Sequence, residues 1–106
     1  MQLTSRIVLH IPEKVWIDDH LTEIPVEKPL DELLTAFSSY HCYVQQAVHC
    51  CDGKQYPEKL ITIFCGAEVM CLVETFLKWA KHHRDELHIE SIAYEISNML
   101  FIERLD

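Results

Sequence analysis

The first patterned segment of the chain is residues 3–11, where apolar and polar side chains alternate. This period of two, with several β-branched residues, predicts a strand. Residues 12–29, which contain Pro12, Pro25 and Pro29, have no clean period, although the stretch KVWI could prolong the first strand or add a short one. So long a connection is unusual in a compact domain, and we interpret it as a binding loop or lid.

Two segments show the spacing of amphipathic helices. Residues 29–40 begin with Pro29, which suits a first helical turn, and bear a stripe of apolar residues. The stripe consists of Leu30, Leu33, Leu34 and Phe37. Residues 67–87 form the longest predicted helix, with a broad apolar stripe that includes Val73, Phe76 and Ala80.

Two further segments are typical of hairpins. Residues 41–51 and 54–65 flank Asp52-Gly53, and Asp-Gly is a strong signal for a two-residue turn because such a turn needs positive φ at both central positions. Residues 89–96 and 99–105 flank a Ser97-Asn98 break and are read most simply as a second hairpin.

The resulting element order is β-α-β-β-α-β, which a further C-terminal strand would extend. It resembles the ferredoxin-like superfold along nearly the whole chain. We therefore predict an α+β sandwich, an antiparallel sheet with two helices on one face, formed by a single domain over residues 1–106. Because unrelated functions share this fold, the fold does not choose among them.

Charge narrows the range of partners. The 106-residue chain has 17 acidic and 9 basic residues, a formal net charge of −8. Such a field repels phosphate backbones, so we expect no direct nucleic-acid binding, whereas a protein with a basic surface would be attracted. No run approaches the about 18 apolar residues of a membrane span, and no signal peptide is evident, so we expect no membrane contact and a cytoplasmic location.

Three of the five cysteines and two of the seven histidines fall between residues 40 and 59. On the predicted hairpin, His49 and Cys51 share one face with Glu58 nearby, which could bind a transition metal. No CxxC or HxxxH spacing supports that hypothesis. We favour the alternative, in which Cys42, Cys50, Cys65 and Cys71 are small buried apolar residues.

Two surfaces are candidates for binding. One is the connection after the first strand, where a tryptophan stands among acidic residues and could anchor a basic partner. Its candidate residues are Trp16, Ile17, Asp18, Asp19, His20 and Leu21. The other is the open face of the sheet, which could support self-association. Its candidate residues are Tyr43, Gln45, His49, Leu60 and Thr62, with Tyr94 as a further member.

No motif dictates a chemistry, so we assign no catalytic residue and expect no cofactor. The favoured hypothesis is a non-enzymatic, acidic interaction or regulatory domain that binds a protein partner and forms a homo-oligomer through its sheet. The alternative is a small-molecule or metal-sensing domain that uses His49, Cys51 and Glu58. A third hypothesis is a small oligomeric enzyme with an interface histidine such as His10 or His49.

Overall fold

A computed structural model describes residues 5–106, so the predicted strand residues Leu3 and Thr4 lie outside it. The strands of the described part are β1 (Ser5–Pro12), β2 (Lys14–Ile17), β3 (His20–Glu23), β4 (His41–Cys51), β5 (Lys54–Cys65), β6 (Ser91–Ile96) and β7 (Met99–Arg104). The helices are α1 (Glu27–Ala36) and α2 (Val69–Leu87).

Five of these strands form one sheet in the order β4-β5-β1-β6-β7, and all neighbours are antiparallel. Helix α1 lies in the connection from β1 to β4, and β5 lies between these two strands in the sheet. Helix α2 connects β5 to β6, and β1 lies between these two strands. These are two interleaved split βαβ units, so the predicted ferredoxin-like arrangement is confirmed in outline. Strands β2, β3 and β7 are additions to its four-stranded sheet.

The two faces of the sheet differ because successive side chains of a strand point to opposite sides. On the inner face, Ile7 and Leu9 of β1 pair with Ile63 and Ile61 of β5, and all four are fully buried. They form one core with the apolar faces of both helices. The outer face of the same strands bears polar groups, including His10 and Glu58.

The two helices are joined by a buried hydrogen bond. The Trp79 indole of α2 donates to the Pro29 carbonyl of α1 at 2.6 Å. The predicted stripe of α1 is confirmed, since Leu30, Leu33 and Phe37 are buried. However, α1 begins two residues before Pro29, at Glu27, and α2 begins at Val69 rather than at residue 67.

Three hairpins turn through two residues with positive φ at both. The turns are Asp18-Asp19, Asp52-Gly53 and Ser97-Asn98. The second and third confirm the predicted hairpins. The first replaces the predicted loop, because Lys14–Glu23 pairs as the β2–β3 hairpin. Aspartate tolerates the left-handed conformation, so this turn needs no glycine.

The burial predicted for the cysteines is only partly correct. Cys65 is fully buried on the inner face and Cys42 is half-buried, as expected for small apolar residues. Cys50 and Cys71 are exposed, which contradicts the prediction. Cys50 lies near the tip of the β4–β5 hairpin, and Cys71 lies on the exposed side of α2.

In the part of the chain that is described, no helix combines the length and the apolar composition needed to cross a membrane.

We predict that Trp79→Phe lowers the free energy of unfolding by about 1–3 kcal/mol, because it removes a buried hydrogen bond and leaves a void between the helices. Urea denaturation measures the change. Trp16→Phe is the matched control, since its indole also donates to a backbone carbonyl, at 3.0 Å from Gln55, but at an exposed site. Equal losses in the two variants would contradict the prediction.

Candidate functional site

The candidate site is a cleft of about 480 Å³ where strands β1 and β6 diverge. This volume lies within the range of about 300–1,000 Å³ for small-molecule sites. Its floor is the outer face of β1, β5 and β6. Its walls are the β2–β3 hairpin, the tip of the β4–β5 hairpin, the segment that joins α2 to β6, and β7. The lining includes His10, Lys14, Trp16, His49, Tyr56, Glu58, His88, Glu90, Ala93 and Ile102.

At the floor of the cleft, His10 lies between two carboxylates. Its Nδ1 is 3.0 Å from Glu58 Oε1, and its Nε2 is 2.7 Å from Glu95 Oε2. The register produces this arrangement: His10 pairs with Leu60 and Ala93, so Glu58 and Glu95 are its diagonal neighbours on the same face.

Both imidazole nitrogens of His10 therefore face acceptors. An ionised carboxylate only accepts hydrogen bonds, and neutral imidazole has one N–H, so the two contacts together require the imidazolium form. Accordingly, the hydrogen bond with Glu58 raises the pKa of His10 above its ordinary value of 6.5, and Glu95 adds to the shift. Partial burial of the ring lowers the pKa and offsets some of this effect.

Glu58 has the larger effect on the His10 pKa even though Glu95 is closer. The Glu58 side chain is 16% exposed and that of Glu95 is 33% exposed. Because water screens the more exposed carboxylate, distance alone does not rank the two. The three groups form a chain centred on His10, which we call the His10 triad.

An aromatic wall lies beside the triad. Trp16 of β2 packs edge-on against Tyr56 of β5, with ring centroids 6.5 Å apart, and the ring centroid of His49 in β4 lies 6.0 Å from that of Tyr56. Lys54 Nζ lies 5.0 Å from the centre of the Trp16 ring and 3.4 Å from Asp19 Oδ1, so it joins the two hairpins. Rings and carboxylates in one cleft suit a ligand that is both aromatic and cationic.

A second cleft, of about 460 Å³, lies at the C-terminal end of α2. Its two arginines already have partners within the chain. Arg84 donates to the Leu105 carbonyl at 2.6 Å, and Arg104 lies 3.5 Å from Asp106. This cleft is lined by no Phe, Tyr or Trp side chain, so the first cleft is the stronger candidate.

The predicted partner-binding residues lie on the β2–β3 hairpin. Asp18, Asp19 and His20 are exposed at or beside its turn, and Ile17 and Leu21 are each 37% exposed. Trp16 points back toward the cleft rather than outward with the acidic residues, as its contacts with Tyr56 and Gln55 indicate. Binding of a basic partner here stays a prediction.

The predicted sheet-face residues all lie on the outer face. Tyr43 pairs with Thr62, Gln45 with Leu60, and His49 with Tyr56. Of this set only His49 lines the cleft, and Thr62 is buried at 3% exposure. The further member, Tyr94, is misplaced by the prediction. It pairs with Leu9 on the inner face, is 4% exposed, and donates to Glu103 at 2.5 Å.

Between residues 5 and 106, no group of three or more His, Cys, Asp or Glu side chains could hold a metal ion. His49, Cys51 and Glu58 share the outer face, but Cys51 pairs with Lys54 at the hairpin end and Glu58 contacts His10. The metal hypothesis gains no support from this geometry. The His10 triad does not converge on one point either, because its carboxylates contact opposite edges of the ring.

Sequence reasoning missed the triad as a unit. Glu58 and His10 each appear in separate hypotheses, and Glu95 in none. The only available signal was that all three lie at polar positions of alternating strands. Their meeting depends on the β5-β1-β6 order, which brings together residues 48 and 85 positions apart.

Comparisons with known proteins find similarity at the level of structure alone. No protein-family model and no curated protein matches the sequence. A solved structure of a phage SAM lyase in its apo state is similar, with a TM-score of 0.59 and 12% identity over 94% of this chain and 88% of that one. A phage SAM lyase in complex with S-methyl-5'-thioadenosine gives a TM-score of 0.54 and 11% identity over the same shares. At such low identity, the comparison shows a shared fold.

We predict that His10 stabilises the fold more at low than at high pH. A raised pKa in the folded state adds stability that is fully present below pH 6.5, the ordinary value, and is lost as the pH rises through the pKa of folded His10. His10→Gln should therefore cost more at pH 5.5 than at pH 9, as measured by urea denaturation at each pH.

NMR titration of the imidazole provides the control for this prediction. Glu58→Gln should lower the His10 pKa more than Glu95→Gln does. A His10 pKa at or below 6.5 in the unsubstituted protein would show that the triad does not hold the imidazolium.

Proposed function

We propose that this protein binds S-adenosylmethionine, or a closely related adenosyl sulfonium compound, in the cleft and cleaves it as a small lyase. The observation that carries the proposal is the combination of the Glu58 carboxylate, which lines the cleft in contact with His10, and an aromatic wall in one cleft of suitable volume. The fold shared with a phage SAM lyase over 94% of the chain supports the choice of ligand and reaction.

The lining matches the chemistry of such a ligand. A sulfonium centre is a permanent cation, which Glu58 and Glu95 attract at short range and the net charge of −8 attracts at long range. Trp16 and Tyr56 offer ring faces and edges for an adenine base, and stacking of a base on an aromatic side chain contributes about 1–3 kcal/mol.

The proposed reaction breaks the bond between sulfur and the four-carbon chain of S-adenosylmethionine. Sulfur keeps the electron pair, so the cation becomes the neutral thioether S-methyl-5'-thioadenosine. The carbon that loses sulfur must gain a new electron pair. In one route a neighbouring C–H bond gives its proton to a base and its electrons form a C=C bond. In the other route an oxygen of the chain's own carboxylate bonds to that carbon and closes a lactone. For the first route, the cleft supplies carboxylates as bases.

The test is to incubate the purified protein with S-adenosylmethionine and follow S-methyl-5'-thioadenosine by chromatography, with binding measured by calorimetry. We expect Trp16→Ala to weaken binding about 5- to 150-fold, the equivalent of one stacked base. Glu58→Gln should lower turnover at least about tenfold, as the loss of one charged contact would.

Glu74→Gln, on the exposed side of α2, is the matched control and should leave both quantities unchanged. If the unsubstituted protein neither binds S-adenosylmethionine nor forms the thioether, the proposal is wrong. The favoured hypothesis would then again be the one from the sequence, a non-enzymatic domain that binds a basic protein.

A second candidate function, self-association through the sheet, is favoured by strand β7. This edge strand exposes Met99 at 63%, Leu100 at 55%, Phe101 at 38% and Ile102 at 68%. Four consecutive large apolar residues on a strand that ends the sheet of residues 5–106 are a template for pairing with another chain. The occupant we propose is a second copy, which would form the predicted homo-oligomer.

We predict that Met99→Lys lowers the subunit number measured by native mass spectrometry, because a charge on the edge strand opposes pairing between copies. Met70→Lys is the matched control. It introduces the same charge at a methionine of similar exposure, 60%, on α2. A monomeric unsubstituted protein, or equal effects of the two substitutions, would refute this candidate.

A further inference from the structure

The His10 triad has a charge balance that a cationic ligand would change. With His10 protonated, its single positive charge opposes the two carboxylates of Glu58 and Glu95, which leaves a net charge of about −1 by formal counting. A ligand cation that enters the cleft would be attracted by the carboxylates and repelled by the imidazolium. Of the two carboxylates, Glu58 lines the cleft, so ligand and proton are alternatives for neutralising Glu58.

From this geometry we infer that His10 determines the charge selectivity of the cleft: its proton and the ligand's cationic centre compete for Glu58. The inference rests on the proposed function, since it assumes that the cationic end of the ligand lies at the triad. It implies that binding a cation releases up to one proton, and that binding an uncharged analogue releases none.

The direction of the pH effect follows from linkage. A bound cation disfavours the imidazolium, so the affinity for the cation must rise with pH while His10 loses its proton. One released proton permits at most about a tenfold increase in affinity per pH unit. An uncharged ligand of the same shape does not interact with the imidazolium charge in this way.

Other titratable groups face the cleft and must be separated from His10 in any test. These groups are Lys14 on β2, His49 on β4, Tyr56 on β5, and His88 and Glu90 in the segment between α2 and β6. Of these, His49 and His88 are the two that have an imidazole like that of His10. The triad carboxylates contact His10 and neither of these two rings, so substituting His49 or His88 should leave the competition intact.

The experiment compares two adenosyl analogues that the proposed lyase reaction would not consume. Sinefungin has a charged amine near the position of the sulfonium, whereas S-adenosylhomocysteine has an uncharged thioether sulfur. Calorimetry between pH 6 and pH 8, in buffers of different ionisation enthalpy, reports both affinity and proton release. We expect sinefungin to gain at least about threefold in affinity over this range and the thioether to change by less than about twofold.

The variants locate the effect. His10→Gln should abolish the difference in pH dependence between the two analogues, while His49→Gln and His88→Gln should preserve it. Equal pH dependence of the two analogues in the unsubstituted protein would overturn the inference and leave the proposed function standing. If neither analogue binds, the proposed function fails and the inference fails with it. If the difference disappears in His49→Gln or His88→Gln but survives in His10→Gln, the inference is also overturned.

Discussion

Burial of the inner face of β1 and β5 is the constraint from which the rest of the structure follows. Ile7, Leu9, Ile61 and Ile63 are fully buried against the helices. Because the side-chain period of a strand is two, this burial forces the intervening residues, among them His10, onto the opposite face. A slip of one residue would bury polar groups and expose the core, so the register is strongly determined and the His10 triad with it.

The sheet combines two features that single strands would not hold together. The cleft supplies carboxylates and rings, while β7 supplies an uncovered apolar edge. Ile102 belongs to both, since it lines the cleft and is 68% exposed. The two proposed functions are therefore compatible, and a second copy on β7 would lie at the margin of the cleft.

The elements that were predicted correctly have a local cause. Asp52-Gly53 predicts its hairpin because two adjacent residues are sufficient to form the turn. The helical spacing of the apolar residues from Leu30 to Phe37 predicts the buried stripe of α1. The β2–β3 hairpin was missed because Asp18-Asp19 supplies the turn without glycine and its strands are only four residues long. Pro12 and Pro25, which flank this hairpin, made the segment resemble a loop.

Local pattern was sufficient to establish both helices, the β4–β5 and β6–β7 hairpins and their order, and the face of the sheet on which His10 and Glu58 lie. It did not establish the β2–β3 hairpin or the face of β6, because Tyr94 was assigned to the open face. Nor did it establish that the three members of the His10 triad meet, because alternation along a strand contains no information about which distant strand becomes its neighbour. The β5-β1-β6 order decided that, as two split βαβ units interleaved to bury one continuous core. Tertiary structure likewise decided that Trp16 turns toward Tyr56, since only the packed hairpins bring the two rings together.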